Sequence, residues 1–252
     1  MFTAKFKLIT IMFLGWMLIV SSSCFAEEKK VIRLATLVWE PYVGEELKEY
    51  GLTSEIMKIA FENLGYEVQF NFMPWVRCLK DTEEGIYDGC YPAYTTKERA
   101  VTYEISKSIL SSPLVFYKRM RDDIVYDTLE GLSDYNIGVV RGYVNGEAFD
   151  SAEYLNKVEG RSDEINVKKL LWERLDLIVV DDFIAKDIMN RLFEDRVNEI
   201  GPLEPPLQVK TLHLLLSKKL ENYEELIQAF DSEIEKMNID GTLDKIKSKH
   251  GF

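Results

Sequence analysis

Histidine is nearly missing from this sequence, with two in 252 residues, and cysteine is scarce, with three. Metal sites built from imidazole and thiolate clusters need more of both, so no metal and no cofactor are expected. Basic residues are outnumbered: 31 Lys and Arg stand against 43 Asp and Glu, a formal net charge of −12. An acidic surface repels phosphate backbones, which argues against nucleic acid as a partner. Seven prolines and 14 glycines leave little material for a flexible linker. What is present is a globular balance, 46% hydrophobic and 29% charged, which rules out a disordered or fibrous chain. The length suits one large domain or two of ordinary size, each with its own core.

The N-terminus reads as a targeting segment. Lys5 and Lys7 precede an uncharged run from Leu8 to Val20, small residues follow to Ala26, and Glu27 opens a charged stretch. That is the order of a secretory signal over residues 1–26. The apolar run is shorter than the ~20 residues of a spanning helix, although a retained anchor is an alternative. Lipidation at Cys24 is another, but Ser21 stands where a lipoprotein signal has Leu. Removing residues 1–26 takes away two lysines and no acid, moving the charge from −12 to −14. The mature chain is expected to be exported, periplasmic and monomeric, beginning at Glu27. Intact-mass analysis of the exported protein tests this, and a lipid-modified Cys24 at its start would overturn it. The two remaining cysteines, Cys78 on a helix and Cys90 on the strand that follows, suggest a disulfide, with two buried thiols as the alternative.

Hydrophobic periodicity gives the element order. Val31 to Val38 is a β-branched strand. Helical spacing runs through Ile56, Met57, Ala60, Phe61 and Leu64, with Thr53 as its cap and Gly65 as its stop. Val68, Phe70 and Phe72 alternate as a strand, Pro74 opens a helix, and Tyr87 to Tyr91 is a strand again. This β-α-β-α-β order predicts a parallel sheet with crossover helices. A second set follows: strands at Asn136–Val140 and Leu177–Val180, helices at 163–174 and 183–193, and a loop at 201–206. Leu114–Tyr117 and Thr211–Leu216 read as strands crossing between two lobes, and amphipathic helices close the chain. The fold class is α/β, a two-lobed arrangement with each lobe a mainly parallel sheet flanked by helices. Lobe 1 comprises 27–118 plus 214–252, and lobe 2 comprises 119–213. Ligands of open α/β sheets lie beyond the carboxyl ends of the strands. That singles out Thr36–Tyr42, Tyr91–Arg99, Arg141–Asn145 and Asp181–Asp182.

Five short motifs, in order, carry a family resemblance. They are Val31-Ile-Arg-Leu-Ala with Trp39-Glu-Pro-Tyr42; Gly51-Leu-Thr-Ser-Glu-Ile-Met; Gly85-Ile-Tyr-Asp88 running to Thr96-Lys-Glu-Arg99; Ile137-Gly-Val-Val-Arg-Gly142; and Asp176 with Asp181. Together they resemble the family 3 extracytoplasmic solute-binding proteins, receptors of polar amino acid ABC importers, over nearly all the mature chain. The resemblance implies a periplasmic-binding-protein fold, a small zwitterionic or carboxylate solute, and an inner-membrane ABC permease as partner. The chain departs from the family in two places. The segment from Asp88 to Arg99 is one residue shorter, and Tyr91-Pro92-Ala93 replaces small hydroxyl or glycine residues. The position matching the family's acidic residue for basic side chains is Thr36, which argues against a Lys or Arg ligand.

Each site residue has two readings. Arg99 is the carboxylate anchor, since a guanidinium makes paired charge-assisted bonds, or a surface partner of Glu98 or Glu104. Asp181 accepts from a ligand ammonium or caps the next helix, with Asp182 the preferred cap. Trp39 and Tyr42 sandwich a ligand or pack their loop. Trp75 and Arg77 open a helix near the cleft, and Arg77 either reads an acidic group or pairs with Asp81. Tyr91 is a candidate by position. Gly142 and Tyr143 precede a helix whose backbone N–H groups can hold a carboxylate. An enzyme on the same fold, a dehydratase for cyclic carboxylates, is an alternative function. Against it, His213 lies in a crossing strand and His250 in the tail, away from the strand ends. A ligand sensor for a separate signalling partner is the other alternative.

Overall fold

The computed structural model describes residues 30–252. The expected signal segment, Cys24 and the start at Glu27 lie outside the described residues. Among the described residues no helix is long and apolar enough to cross a membrane.

The first part has the expected order: β1 (Lys30–Thr36), α1 (Leu52–Asn63), β2 (Tyr66–Phe72), α2 (Trp75–Glu83) and β3 (Gly89–Ala93). β1 and β3 pair in parallel, with Leu34 opposite Gly89, and β2 flanks β1. Two elements that the apolar pattern does not announce come next, α3 (Lys97–Thr102) and β4 (Tyr103–Ile105). β5 (Leu110–Arg119) leads to β6 (Asn136–Val140), α4 (Glu147–Asp150), β7 (Asn156–Gly160), α5 (Asp163–Leu171), β8 (Leu177–Asp181) and α6 (Asp182–Leu192). β6 pairs in parallel with both β7 and β8. β9 (Ile200–Pro202) overlaps the start of the stretch expected to be loop and pairs with β5. β10 (Gln208–Ser217), α7 (Tyr223–Ile239) and α8 (Thr242–Lys249) complete the chain. β7 escapes a pattern reading because its sequence, Asn-Lys-Val-Glu-Gly, has a single large apolar residue. An edge strand is held by its ladder rather than by a buried face.

The main strand path is β2-β1-β3-β10-β5-β8-β6-β7. β10 joins its two parts. Its first half, Gln208–Leu212, runs antiparallel to β5, while its second half pairs with β3 and β4. This ladder sets Gln208 opposite Leu114 and Leu212 opposite Leu110, so the segments read as crossing strands, Leu114–Tyr117 and Thr211–Leu216, enter it only at their ends, and Leu114–Tyr117 pairs instead with β8. At the start of α1, Gly51 is the N-cap, with φ of 96°. Thr53, expected as the cap, lies inside the helix and donates its hydroxyl to the Tyr42 carbonyl at 3.1 Å.

The expected disulfide is not formed. Cys78 and Cys90 are free and buried. The Cys78 thiol donates to the Thr36 carbonyl at 3.1 Å, which ties α2 to the end of β1. Burial pushes the Cys90 thiol up to about 12 and raises Cys78 as well, so neither is a reactive thiolate at neutral pH. The chain without residues 1–26 should therefore titrate two thiols with an aromatic disulfide reagent in denaturant and almost none when native. Loss of the denatured-state signal, restored by reductant, would refute this.

Candidate functional site

The turn after β1 sets the first wall. The Trp39 N–H donates to Val43 O at 2.8 Å and the Tyr42 N–H to Trp39 O at 3.0 Å. This tight turn holds the Trp39 and Tyr42 rings with centroids 5.1 Å apart. The Trp39 indole donates to Asp163 Oδ2 at 3.0 Å, at the start of α5. The Tyr42 hydroxyl donates to the Asp181 carboxylate at 3.3 Å, and Tyr94, just beyond β3, donates to the same carboxylate at 3.1 Å.

Arg99 stands in the first turn of α3, where Thr96 is the N-cap and accepts from the Arg99 N–H at 3.1 Å. Its guanidinium is 8% exposed with its residue. Nη1 donates to Tyr94 O at 2.6 Å, Nη2 donates to Gly142 O at 3.0 Å, and the group lies 5.5 Å from the Trp75 ring centroid. No carboxylate forms an ion pair with it among the described residues, so the surface-pair reading with Glu98 or Glu104 fails. Gly142 has φ of 78°, the left-handed region that suits glycine, and this turn aims its carbonyl at Arg99.

Trp39, Trp75, Tyr94, Arg99 and Tyr143 line one small cavity of about 20 Å³, with Leu37, Pro92, Val144 and Leu212 completing its wall. Tyr143 meets the Trp39 ring edge-on at 6.2 Å. Four sequence-chosen residues, Trp39, Trp75, Arg99 and Tyr143, thus share one site. Tyr42 and Asp181 stand behind it as a hydrogen-bonded pair.

The other choices are placed elsewhere. Tyr91 is fully buried in the core, its hydroxyl bonded to Ser54 at 2.9 Å. Every residue of β3 is buried, so position near a strand end does not bring Tyr91 to the cleft. Arg77 faces solvent and pairs with Asp81 at 3.1 Å, one helical turn on. Gly142 and Tyr143 do not begin a helix, because α4 starts at Glu147 and the Tyr143 N–H is taken by Val140 O. Gly142 contributes its carbonyl instead. Asp181, not Asp182, caps α6: its Oδ1 accepts from Phe183 N at 2.9 Å and Ile184 N at 3.3 Å. Asp182 takes the Tyr117 hydroxyl and Lys186. Thr36 is turned into the sheet, donating to Tyr91 O at 2.7 Å.

Sequence reasoning passed over Tyr94, Asp163 and Lys210. Tyr94 lay inside the window 91–99 but was masked by its neighbour Tyr91. Lys210 had a legible signal. In β10 the buried positions alternate as Lys210, Leu212 and Leu214, while Val209 is exposed. A charged residue therefore occupies the inward parity of a strand and an apolar one the outward.

Burial raises the Asp163 carboxyl to about 6 and the Asp181 carboxyl to about 7, and the Trp39 and Tyr donors only partly offset it. An unfolded Asp titrates near ~3.9, so the folded chain holds extra protons between roughly pH 4 and 7. The stability from these two groups is full below about pH 4 and is lost as pH rises through about 6 and about 7. Ligand-free protein should melt higher at about pH 5 than at about pH 8, and Asp163→Asn with Asp181→Asn should narrow that gap. Identical pH profiles for parent and double variant would refute it.

One buried cation facing flat apolar walls is a binding arrangement for a small solute. Residues 35–252 match the bacterial extracellular solute-binding proteins, family 3, and the chain belongs to that family. This is a family of binding proteins, not of enzymes, which sets aside the dehydratase alternative. No curated protein sequence matches this chain. Among solved structures, a histidine kinase sensor domain with similarity to periplasmic binding proteins superposes with a TM-score of 0.78 at 17% identity, covering 88% of this chain and 97% of that one. An ancestral arginine-binding protein bound to arginine gives 0.76 at 18%, covering 88% and 98%. The GluR0 ligand-binding core from Nostoc punctiforme, in complex with L-glutamate, gives 0.74 at 15%, covering 87% and 99%. At such identities the likeness concerns the mixed α/β fold.

Proposed function

We propose that this protein is a periplasmic receptor that closes two lobes, 27–118 plus 214–252 and 119–213, on a small amino-acid-like or carboxylate solute and delivers it to an ABC importer. The observation that carries this reading is Arg99, a desolvated guanidinium without a carboxylate partner among the described residues, set in an aromatic cavity. A buried charge without a counter-charge is costly, and an incoming carboxylate relieves that cost with charge-assisted bonds. The links from Trp39 to Asp163, from Tyr42 and Tyr94 to Asp181, and from Arg99 to Gly142 are then contacts of the closed state. Hinge motion falls where β5 and β10 run side by side. Solved structures bound to arginine or to L-glutamate share the fold, which fits a solute receptor of this general kind.

The test uses protein unfolded and refolded to remove any co-purifying solute. Small carboxylates and amino acids are titrated while Trp39 and Trp75 fluorescence is followed, with calorimetry alongside. Saturable binding is expected for at least one of these classes. A panel in which neither class binds would overturn the reading.

A further inference from the structure

We infer that the cavity selects an apolar solute bearing a carboxylate and no ammonium group, such as an arylalkyl or branched-alkyl carboxylate, in preference to the matching α-amino acid. This rests on the reading that Arg99 anchors the solute, and it is carried by the charges around the cavity. Arg99 is the one charged side chain among the described residues that line it; the rest of the wall is Leu, Trp, Pro, Tyr and Val. An anion is therefore provided for, along with an apolar body.

A second cation stands close by. Lys210 is 7% exposed, its Nζ lies 5.1 Å from the Tyr94 ring centroid, and it shares the inward face of β10 with Leu212. No hydrogen bond or ion pair holds its ammonium among the described residues. Glu98 and Glu147 line another pocket together with Lys210, and the one carboxylate that acts on both Arg99 and Lys210 is Asp150. That carboxylate is already engaged by the Asn145 and Gly146 N–H groups and the Asn145 amide.

An ammonium would need a carboxylate, and none stands among the described residues that line the cavity. Asp181 receives Tyr42, Tyr94 and two backbone N–H groups. Asp163 receives the Trp39 indole and faces the Tyr143 hydroxyl. The Tyr94 and Gly142 carbonyls both receive Arg99. A solute ammonium placed here would be desolvated, beside two like charges, with no carboxylate on the described cavity wall to meet it.

The experiment compares pairs that differ only in the amino group: 3-phenylpropionate with L-phenylalanine, and 4-methylpentanoate with L-leucine, by calorimetry on the refolded chain. The carboxylate lacking the ammonium should bind at least about tenfold tighter in one pair or both. Lys210→Met should weaken carboxylate binding and narrow the difference, while Lys210→Arg should retain it. The comparison on the parent protein stands even if Lys210→Met folds poorly. Amino acids that bind more tightly than their partners, with Arg99 required, would overturn this inference and leave the receptor reading in place. Failure of carboxylates and amino acids alike would overturn both.

Discussion

Arg99→Ala should weaken binding of the solute by about 30-fold to several-thousand-fold while the chain stays folded. The size follows from leaving a desolvated carboxylate without its partner, about 2–5 kcal/mol. Stability should change by less than about 1 kcal/mol, because two opposing effects are involved. The variant loses donors to Tyr94 O and Gly142 O, but it also removes a buried charge that has no counter-ion. Calorimetry with the tightest carboxylate, together with a denaturant melt, measures both quantities. Unchanged affinity in a folded Arg99→Ala protein would rule out the anchor role.

Asp181→Ala should act on the fold before it acts on any ligand. Asp181 is 2% exposed, and its carboxylate caps α6 and receives two tyrosine hydroxyls. Losing an N-cap costs about 1 kcal/mol, and each buried hydroxyl left without an acceptor adds about 1 kcal/mol or more. A loss of about 2–4 kcal/mol is expected. Asp181→Asn keeps an acceptor oxygen for the helix and should lose less than half of that. Urea unfolding of both variants is the measurement, and an Asp181→Ala midpoint equal to the parent's would show that the cap and tyrosine bonds are not structural. From the sequence, Asp181 reads as a residue facing a wet cleft, which would make the truncation harmless to folding. The structure reverses that expectation because α6 starts immediately after β8, leaving the strand's last residue as the cap.

Trp39, Trp75 and Arg99 come together where one local feature fixes both the backbone and the direction of the side chain. Trp39 follows β1 in a tight turn, Trp75 opens a helix after Pro74, and Arg99 sits one turn into a capped helix. Tyr91 and Arg77 lie away from this cavity for opposite reasons. Tyr91 lies in a strand buried along its whole length, so its parity directs it into the core against Ser54. Arg77 is exposed on its helix and pairs with Asp81, a buried carboxylate one turn on.

By itself the sequence determined most of the order of strands and helices, the export-type N-terminal pattern and the family motifs. Each of these is written in residues close together along the chain. Only the tertiary structure decided the character of the site. Trp39 meets Asp163 across 124 residues and Tyr42 meets Asp181 across 139. Which carboxylate is already occupied, which cation is left unpaired, and whether two cysteines stay thiols all depend on how distant segments pack. Periodicity along the chain carries no information about those contacts, because hydrogen-bond partners and desolvation are properties of the assembled interior.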